Sequence, residues 1–363
     1  MLTLSTAALI VFHELGARLG VVTGKGLLAL VRERYGHRAA TGAAAVLVVA
    51  NLGTLCAELA GVAAGGELLG GVPKVVSVPL AVLVIVTLLI AGSFHRVEHV
   101  LLAISAVFAT YLVSGLLAHP DWGAAAQGAV LPGLPLTRDA VYVAVATLGT
   151  TLAPWGLSFI QSYAVDKHLT PEDLRYERID VVSGAVLTGV IGLFVVLACA
   201  ATLHRQGVPI NDAADAARGL RPLAGSFAST LFGLGFVGAA LLAATVVPLS
   251  TAYSVCEAGA HHGDVSASVR EAPVFYGVFA GSLVVAAVIV LIPGVPLLSI
   301  LVSTQALNAV LLLAILPFLM ALGRDPAVLG VHAVGRTGRW TTGVTYALVA
   351  LSVGALLVLQ LLG

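Results

Sequence analysis

Two glycines and a proline fall within the eight residues Gly149-Thr150-Thr151-Leu152-Ala153-Pro154-Trp155-Gly156, in the middle of an apolar run from about Ala140 to Val165. Proline has no N–H to donate and its ring collides with the preceding turn, so a helix cannot pass through this stretch intact. Inside a bilayer, backbone groups freed in this way need buried partners or a cavity to line. A broken span also aims bare carbonyls and half-helix ends at the membrane midplane, which suits the binding of an ion or small polar solute. A simple proline kink is the competing structural reading.

Other polar residues lie within apolar stretches. Glu58 sits half-way along such a run, in Asn51-Leu-Gly-Thr-Leu-Cys-Ala-Glu58-Leu-Ala-Gly61, with no cation close in sequence. An intramembrane carboxyl is a functional candidate by default. It could carry a proton or gate a path, or it could be a hydrogen-bonded structural acid. His13 and Glu14 come late in the first apolar run, and Glu14 and Arg18 are spaced to pair on one helix face. That pair could be structural, or part of a proton path. Gln305 and Asn308 share a helix face at i and i+3; their amide oxygens could meet a cation or bond across helices. Ser250, Thr251 and Ser254 form a polar face ending at Glu257, and hydroxyls so placed suit helix packing. His95-Arg96-Val97-Glu98-His99 matches a zinc-enzyme pattern, but it is short, starts a helix and has no third ligand in view. It reads as a solvated basic helix end. The His261-His262 pair is an equally weak metal signal.

These residues must be held by membrane-spanning elements. The chain has 363 residues, of which 59% are hydrophobic and 10% charged. No soluble domain of that size has such a composition, so the fold class is an all-α polytopic membrane protein. Cys56, Cys199 and Cys256 lie in apolar runs, which argues against a disulfide framework. Ten spans are predicted, at about 1–19, 42–66, 73–93, 97–118, 140–165, 179–203, 224–258, 272–293, 296–322 and 340–362. The connections are short, so residues 1–363 form one transmembrane domain with no soluble domain. Taking the loops alternately, thirteen Lys and Arg residues fall on one side and five on the other, which makes the first side cytoplasmic. Lys25 to Gly36 then reads as a short amphipathic helix on that face. Met1 falls on the outer side, and one more helix before it would bring the N-terminus inside.

The ordered segments resemble a known family. Arg18-Leu-Gly-Val-Val-Thr-Gly24-Lys-Gly26 is similar to the end of the second helix of NRAMP-type divalent metal transporters. Asn51-Leu-Gly53-Thr54 through Glu58 resembles their third helix, Gly149 to Trp155 their unwound sixth, and Thr304-Gln305-Ala-Leu-Asn308 with Pro317 their tenth. The segments keep the family order across nearly the whole chain. They lie nearer the NRAMP-related branch that includes magnesium transporters than the manganese and iron carriers.

The resemblance implies a LeuT-like bundle of two inverted five-helix repeats, with the second to fifth family helices in 1–118 and the sixth to eleventh in 140–362. It implies metal binding by the backbone carbonyl near Thr150, the position of Ala153, Gln305 from the tenth helix and its neighbour Asn308. Gly149, Thr151, Pro154, Trp155 and Gly156 line that site. It places Glu58 on the family's proton path, with His13 and Glu14 as further proton-path or gating groups. The companion aspartate three residues before Glu58 is Leu55 here, which leaves that path with one acid. The manganese and iron carriers have methionine where Ala153 stands, and His-Asn where Trp155-Gly156 follows. A thioether selects softer metals, and smaller side chains leave room for retained water. The expected cargo is therefore Mg²⁺ or Mn²⁺ rather than Fe²⁺. Nothing here matches the family's first helix, so a chain lacking that helix is expected.

The reading is a multi-pass secondary transporter of the cell membrane, not an enzyme. It works by alternating access, with a divalent cation as substrate and no cofactor. Its partners are the metal ion and the lipid bilayer, with no nucleic acid; the oligomeric state stays open. The alternatives are a transporter of amino acids or other organic substrates on the same fold, and an inactive truncated paralogue.

Overall fold

The computed structural model describes residues 1–90, 99, 103, 106–130, 133, 137–204, 207, 213–265 and 267–362. Every regular element among them is helical. In hydrocarbon a helix satisfies its own backbone, so apolar runs of this length have no cheaper structure. The main helices are α1 (Leu2–Thr23), α2 (Leu27–Tyr35), α3 (His37–Gly70), α4 (Lys74–Ile90), α5 (Thr110–Leu117) and α6 (Trp122–Val130). They continue with α7 (Arg138–Thr151), α8 (Pro154–Asp166), α9 (Leu174–Thr202), α10 (Ala228–Gly259), α11 (Pro273–Leu291), α12 (Leu297–Arg324) and α13 (Arg336–Leu362).

Among the described residues, eight stretches are long and apolar enough to cross a membrane, with Arg138–Asp166 counted as one, and two shorter apolar helices, Lys74–Ile90 and Ala106–Leu117, stand at the third and fourth predicted spans. The chain thus passes the membrane several times. Parts of the 73–93 and 97–118 predictions lie outside the described residues. Two elements differ from the sequence expectation. α3 outruns the predicted 42–66 at both ends, because backbone geometry ends it: Gly71 adopts the left-handed conformation and its N–H closes on Glu67. α6 lies in a stretch predicted as loop. Its start is held by Asp121, whose carboxylate accepts from the Ala124 N–H at 3.0 Å.

α3 runs through the centre, packed against α10 on one side and α12 on another. α7 lies on α12, while α1 lies against α8 and α9. Of three buried apolar clusters among the described residues, the two larger fill most of the interior and the third gathers around Tyr111 and Phe232. Of the larger two, one joins Phe12, Leu15 and Leu19 of α1 to Leu148 of α7 and to Leu312, Ile315 and Leu316 of α12. The other joins Leu55 and Leu59 of α3 to Val247 and Tyr253 of α10 and to Phe275, Phe279 and Leu283 of α11. Ile179, Val186, Leu187 and Val196 of α9 stay exposed, an outer face suited to lipid tails.

Candidate functional site

The predicted break forms. α7 ends where the Leu152 N–H closes on the Leu148 carbonyl at 2.9 Å. Ala153 is extended (φ −44°, ψ 130°), and α8 begins at Pro154. The Gly156 N–H turns back to the Ala153 carbonyl at 3.1 Å. Pro154 has no N–H to give the Thr150 carbonyl four residues earlier, so that oxygen loses its helical donor. The break sits where the two larger apolar clusters meet: Leu152 and Leu157 pack into the first, Trp155 and Phe159 against the second.

Gly149 fixes the position of the break. A Cβ there would lie 1.9 Å from the Gln305 carbonyl oxygen and 2.7 Å from the Ala309 nitrogen. The backbones of α7 and α12 therefore touch, which only glycine permits, and the contact falls on the predicted ligand residue Gln305. On the opposite flank, Ser250 of α10 donates to the Trp155 carbonyl at 2.9 Å.

Gln305 and Asn308 come together as the i, i+3 spacing predicted. Asn308 is fully buried; its Nδ2 donates to Gln305 Oε1 at 3.1 Å and to the Thr54 hydroxyl of α3 at 2.8 Å. Ala153 and Pro154 are buried beside the break. Thr150 is exposed, and the Thr151 hydroxyl donates to the Thr147 carbonyl at 2.7 Å, which engages it with its own helix. The Trp155 ring packs against the second apolar cluster.

His13 reaches the break from α1. Its Nε2 lies 3.1 Å from where a Cβ on Gly156 would stand. Glu14, its neighbour, turns to a different place. It takes Arg18 at 2.6 Å and Arg178 of α9 at 2.8 Å, and with Arg336 these groups line a cavity of about 530 Å³. Glu58 is half-buried on α3, one turn beyond Thr54 on the same face, and among the described residues it has no hydrogen-bond or ion-pair partner. Of the zinc-like pattern, His95 and Glu98 lie outside the described residues. No cluster of three His, Cys, Asp or Glu side chains able to hold a metal occurs among the described residues. The oxygen donors beside the break are the main-chain carbonyls and the amide groups of Gln305 and Asn308.

Sequence reasoning missed two tethers. Asn51 is fully buried and donates to the Thr251 hydroxyl at 2.9 Å, tying α3 to α10. Glu257 accepts from Ser162 of α8 at 2.6 Å and from the Leu28 N–H of α2 at 3.0 Å. The one-sided polarity of Pro248 to Glu257 was the available signal, and its hydroxyls do join helices: Ser254 meets Ser158 at 2.9 Å.

The chain resembles known proteins in sequence and in fold. A family model described as Nramp, natural resistance-associated macrophage protein-like, matches residues 1–359. The chain is 30% identical over 245 residues to the divalent metal cation transporter MntH of Aeromonas hydrophila, covering 66% of this chain and 60% of that protein. It is 31% identical over 244 residues to the MntH of Pectobacterium carotovorum, covering 65% and 58%. The matched region thus spans about 60% of the length of these curated relatives. The crystal structure of the Eremococcus coleocola manganese transporter superposes with a TM-score of 0.80 at 17% identity, over 99% of this chain and 83% of that one. The shared fold is the LeuT-like transporter bundle expected from the sequence. With a family match over nearly its whole length, the chain belongs to the Nramp family.

Proposed function

We propose that this protein carries divalent metal cations across the cell membrane by alternating access around the break between α7 and α8. The observation that carries the reading is the seating of that break. The Thr150 carbonyl is left without its helical donor by Pro154, and Gly149 lies backbone to backbone on Gln305. Freed carbonyls and amide oxygens are hard donors suited to Mg²⁺ and Mn²⁺. The relatives' names point to the same cargo class: divalent metal cations for the MntH proteins and manganese for the Eremococcus transporter. Ala153 brings no thioether to the site, which supports Mg²⁺ or Mn²⁺ over Fe²⁺. Glu58 is the group we assign to a coupled proton, since it is an intramembrane acid near the Asn308–Thr54 contact.

The test is flux into liposomes reconstituted with the protein, read with a metal-sensitive dye inside. Uptake of Mn²⁺, slowed by excess Mg²⁺, is expected. Uptake blocked by low-micromolar Fe²⁺ or Cd²⁺ and indifferent to Mg²⁺ would overturn the hard-ion assignment. Accumulation of an amino acid without metal flux would overturn the cargo class.

A further inference from the structure

We propose that His13 supplies a nitrogen ligand to the cation at the break and biases the site toward Mn²⁺ over Mg²⁺. This rests on the metal-transport reading above and refines its cargo.

The argument begins with reach. His13 stands on α1, while the freed carbonyls belong to α7 and the small residues around them to α8. Yet its Nε2 would be 3.1 Å from a Cβ on Gly156, and its Cε1 3.6 Å from the same point. The imidazole therefore abuts the first turn of α8, two residues past the proline. Gly156 has no side chain, so the ring edge is set directly against its backbone position.

The second part concerns hydrogen bonding. His13 Nδ1 is buried with no hydrogen-bond partner among the described residues. A buried structural histidine would normally have a partner on that nitrogen. A neutral imidazole carries its proton on one ring nitrogen and a lone pair on the other, and with the proton on Nδ1 the Nε2 lone pair is free to meet a metal. Nε2 is the ring atom set against Gly156 at the break.

The third part is selectivity. Main-chain and amide oxygens do not distinguish Mg²⁺ strongly from Mn²⁺. An imidazole nitrogen does, because first-row transition ions accept nitrogen ligands and Mg²⁺ prefers oxygen and water. His13 would thus give the site some of the transition-metal preference that a methionine at position 153 would give, from a different helix.

The experiment is pulsed electron paramagnetic resonance of Mn²⁺ bound to the purified full chain in nanodiscs, with Mn²⁺ and Mg²⁺ affinities measured by calorimetry. A ¹⁴N coupling on Mn²⁺ is expected. His13→Gln should abolish it and weaken Mn²⁺ about ten- to a hundredfold while Mg²⁺ changes little. A His261→Gln, His262→Gln double variant should keep the coupling. Gly156→Ala keeps His13 in the sequence but sets a methyl 3.1 Å from its Nε2, so the ring must shift, and should lower the Mn²⁺ to Mg²⁺ preference in the same direction. Mn²⁺ bound to the unaltered chain without ¹⁴N coupling would overturn the role of His13 and leave the transport reading standing. So would equal weakening of both ions in His13→Gln. Failure of both ions to bind the unaltered chain would overturn the transport reading itself, and this assignment with it.

Discussion

Asn308 of α12 donates its amide to the Thr54 hydroxyl of α3 at 2.8 Å, and Thr54 in turn donates to the Ala50 carbonyl at 3.2 Å. The hydroxyl's proton is therefore engaged with its own helix, and it can only accept from Asn308. This fixes which end of the amide faces α3 and leaves Asn308 Oδ1 buried without a partner among the described residues. Asn51 repeats the arrangement. Thr251 donates to the Val247 carbonyl at 2.9 Å and accepts from Asn51 Nδ2, and Asn51 Oδ1 is likewise left over. Two buried amides thus meet at α3, its own Asn51 facing α10 and Asn308 reaching it from α12, and among the described residues both oxygens are unsatisfied. Such groups are costly unless something donates to or coordinates them.

The Asn308–Thr54 tether should be measurable as a coupling energy. In a double-mutant cycle of Asn308→Ala and Thr54→Val, scored by reversible unfolding in detergent, the expected interaction is about 0.6–2 kcal/mol, the range for hydrogen bonds between membrane helices. Additive single effects would show that the two helices are held by packing alone.

Gly149→Ala should be far more damaging than its small size suggests. The added methyl would lie 1.9 Å from the Gln305 carbonyl oxygen, so α7 must lift from α12. A loss of about 1–3 kcal/mol, or failure to fold, is expected. Gly184→Ala has nothing within 4 Å of its Cβ and should be neutral or slightly stabilising. Thermal melts of the two variants give the comparison, and equal melting temperatures would refute the backbone contact.

Ala153→Met tests the chemistry of the break. Ala153 is buried at the junction of α7 and α8, so a thioether there would project among the freed oxygen donors. Cd²⁺ affinity should rise by about tenfold or more relative to Mg²⁺, because sulfur favours the softer ion. Competition calorimetry with the two ions reads this ratio directly. An unchanged ratio would place the cation away from residue 153.

Particular residues show what the sequence could and could not reveal. The break was legible because proline and glycine act on their own backbone, whatever surrounds them. Its seat was not, because Gly149 meets Gln305 through a close approach of two helices that no local pattern encodes. The Glu14–Arg18 pair followed from helical spacing, but the second cation on Glu14, Arg178, lies 164 residues away. The side chains of Thr150 and Thr151 could not be oriented from sequence, since hydroxyls in a helix readily turn back onto their own carbonyls, as Thr151 does. The role of His13 at Gly156 depends on the packing of α1 against α8, which only the assembled bundle sets.

Glu257 makes the last prediction. α2 starts at Gly26, which has no side chain to cap the first free N–H groups of the helix. The cap comes instead from α10. Glu257 Oε2 accepts from the Leu28 N–H at 3.0 Å, while Oε1 takes the Ser162 hydroxyl at 2.6 Å. A carboxylate is also favoured at this end of a helix by the peptide dipoles. Arg32 adds a bond to the Glu257 main-chain carbonyl at 2.6 Å, which a side-chain change leaves intact. Glu257→Ala should therefore raise amide exchange at Leu28 and Ala29 by about five- to thirtyfold, the equivalent of losing a cap worth about 1–2 kcal/mol. Glu257→Gln keeps an acceptor oxygen and should cost less, and Ser162→Ala should cost least, because it removes a neighbour of the cap rather than the cap. Hydrogen exchange resolved to α2 distinguishes the three. If Glu257→Ala leaves α2 as protected as before, the helix is held by its buried Leu27, Leu28, Leu30 and Val31 face and the Arg32 bond, and the Glu257 carboxylate does not cap it.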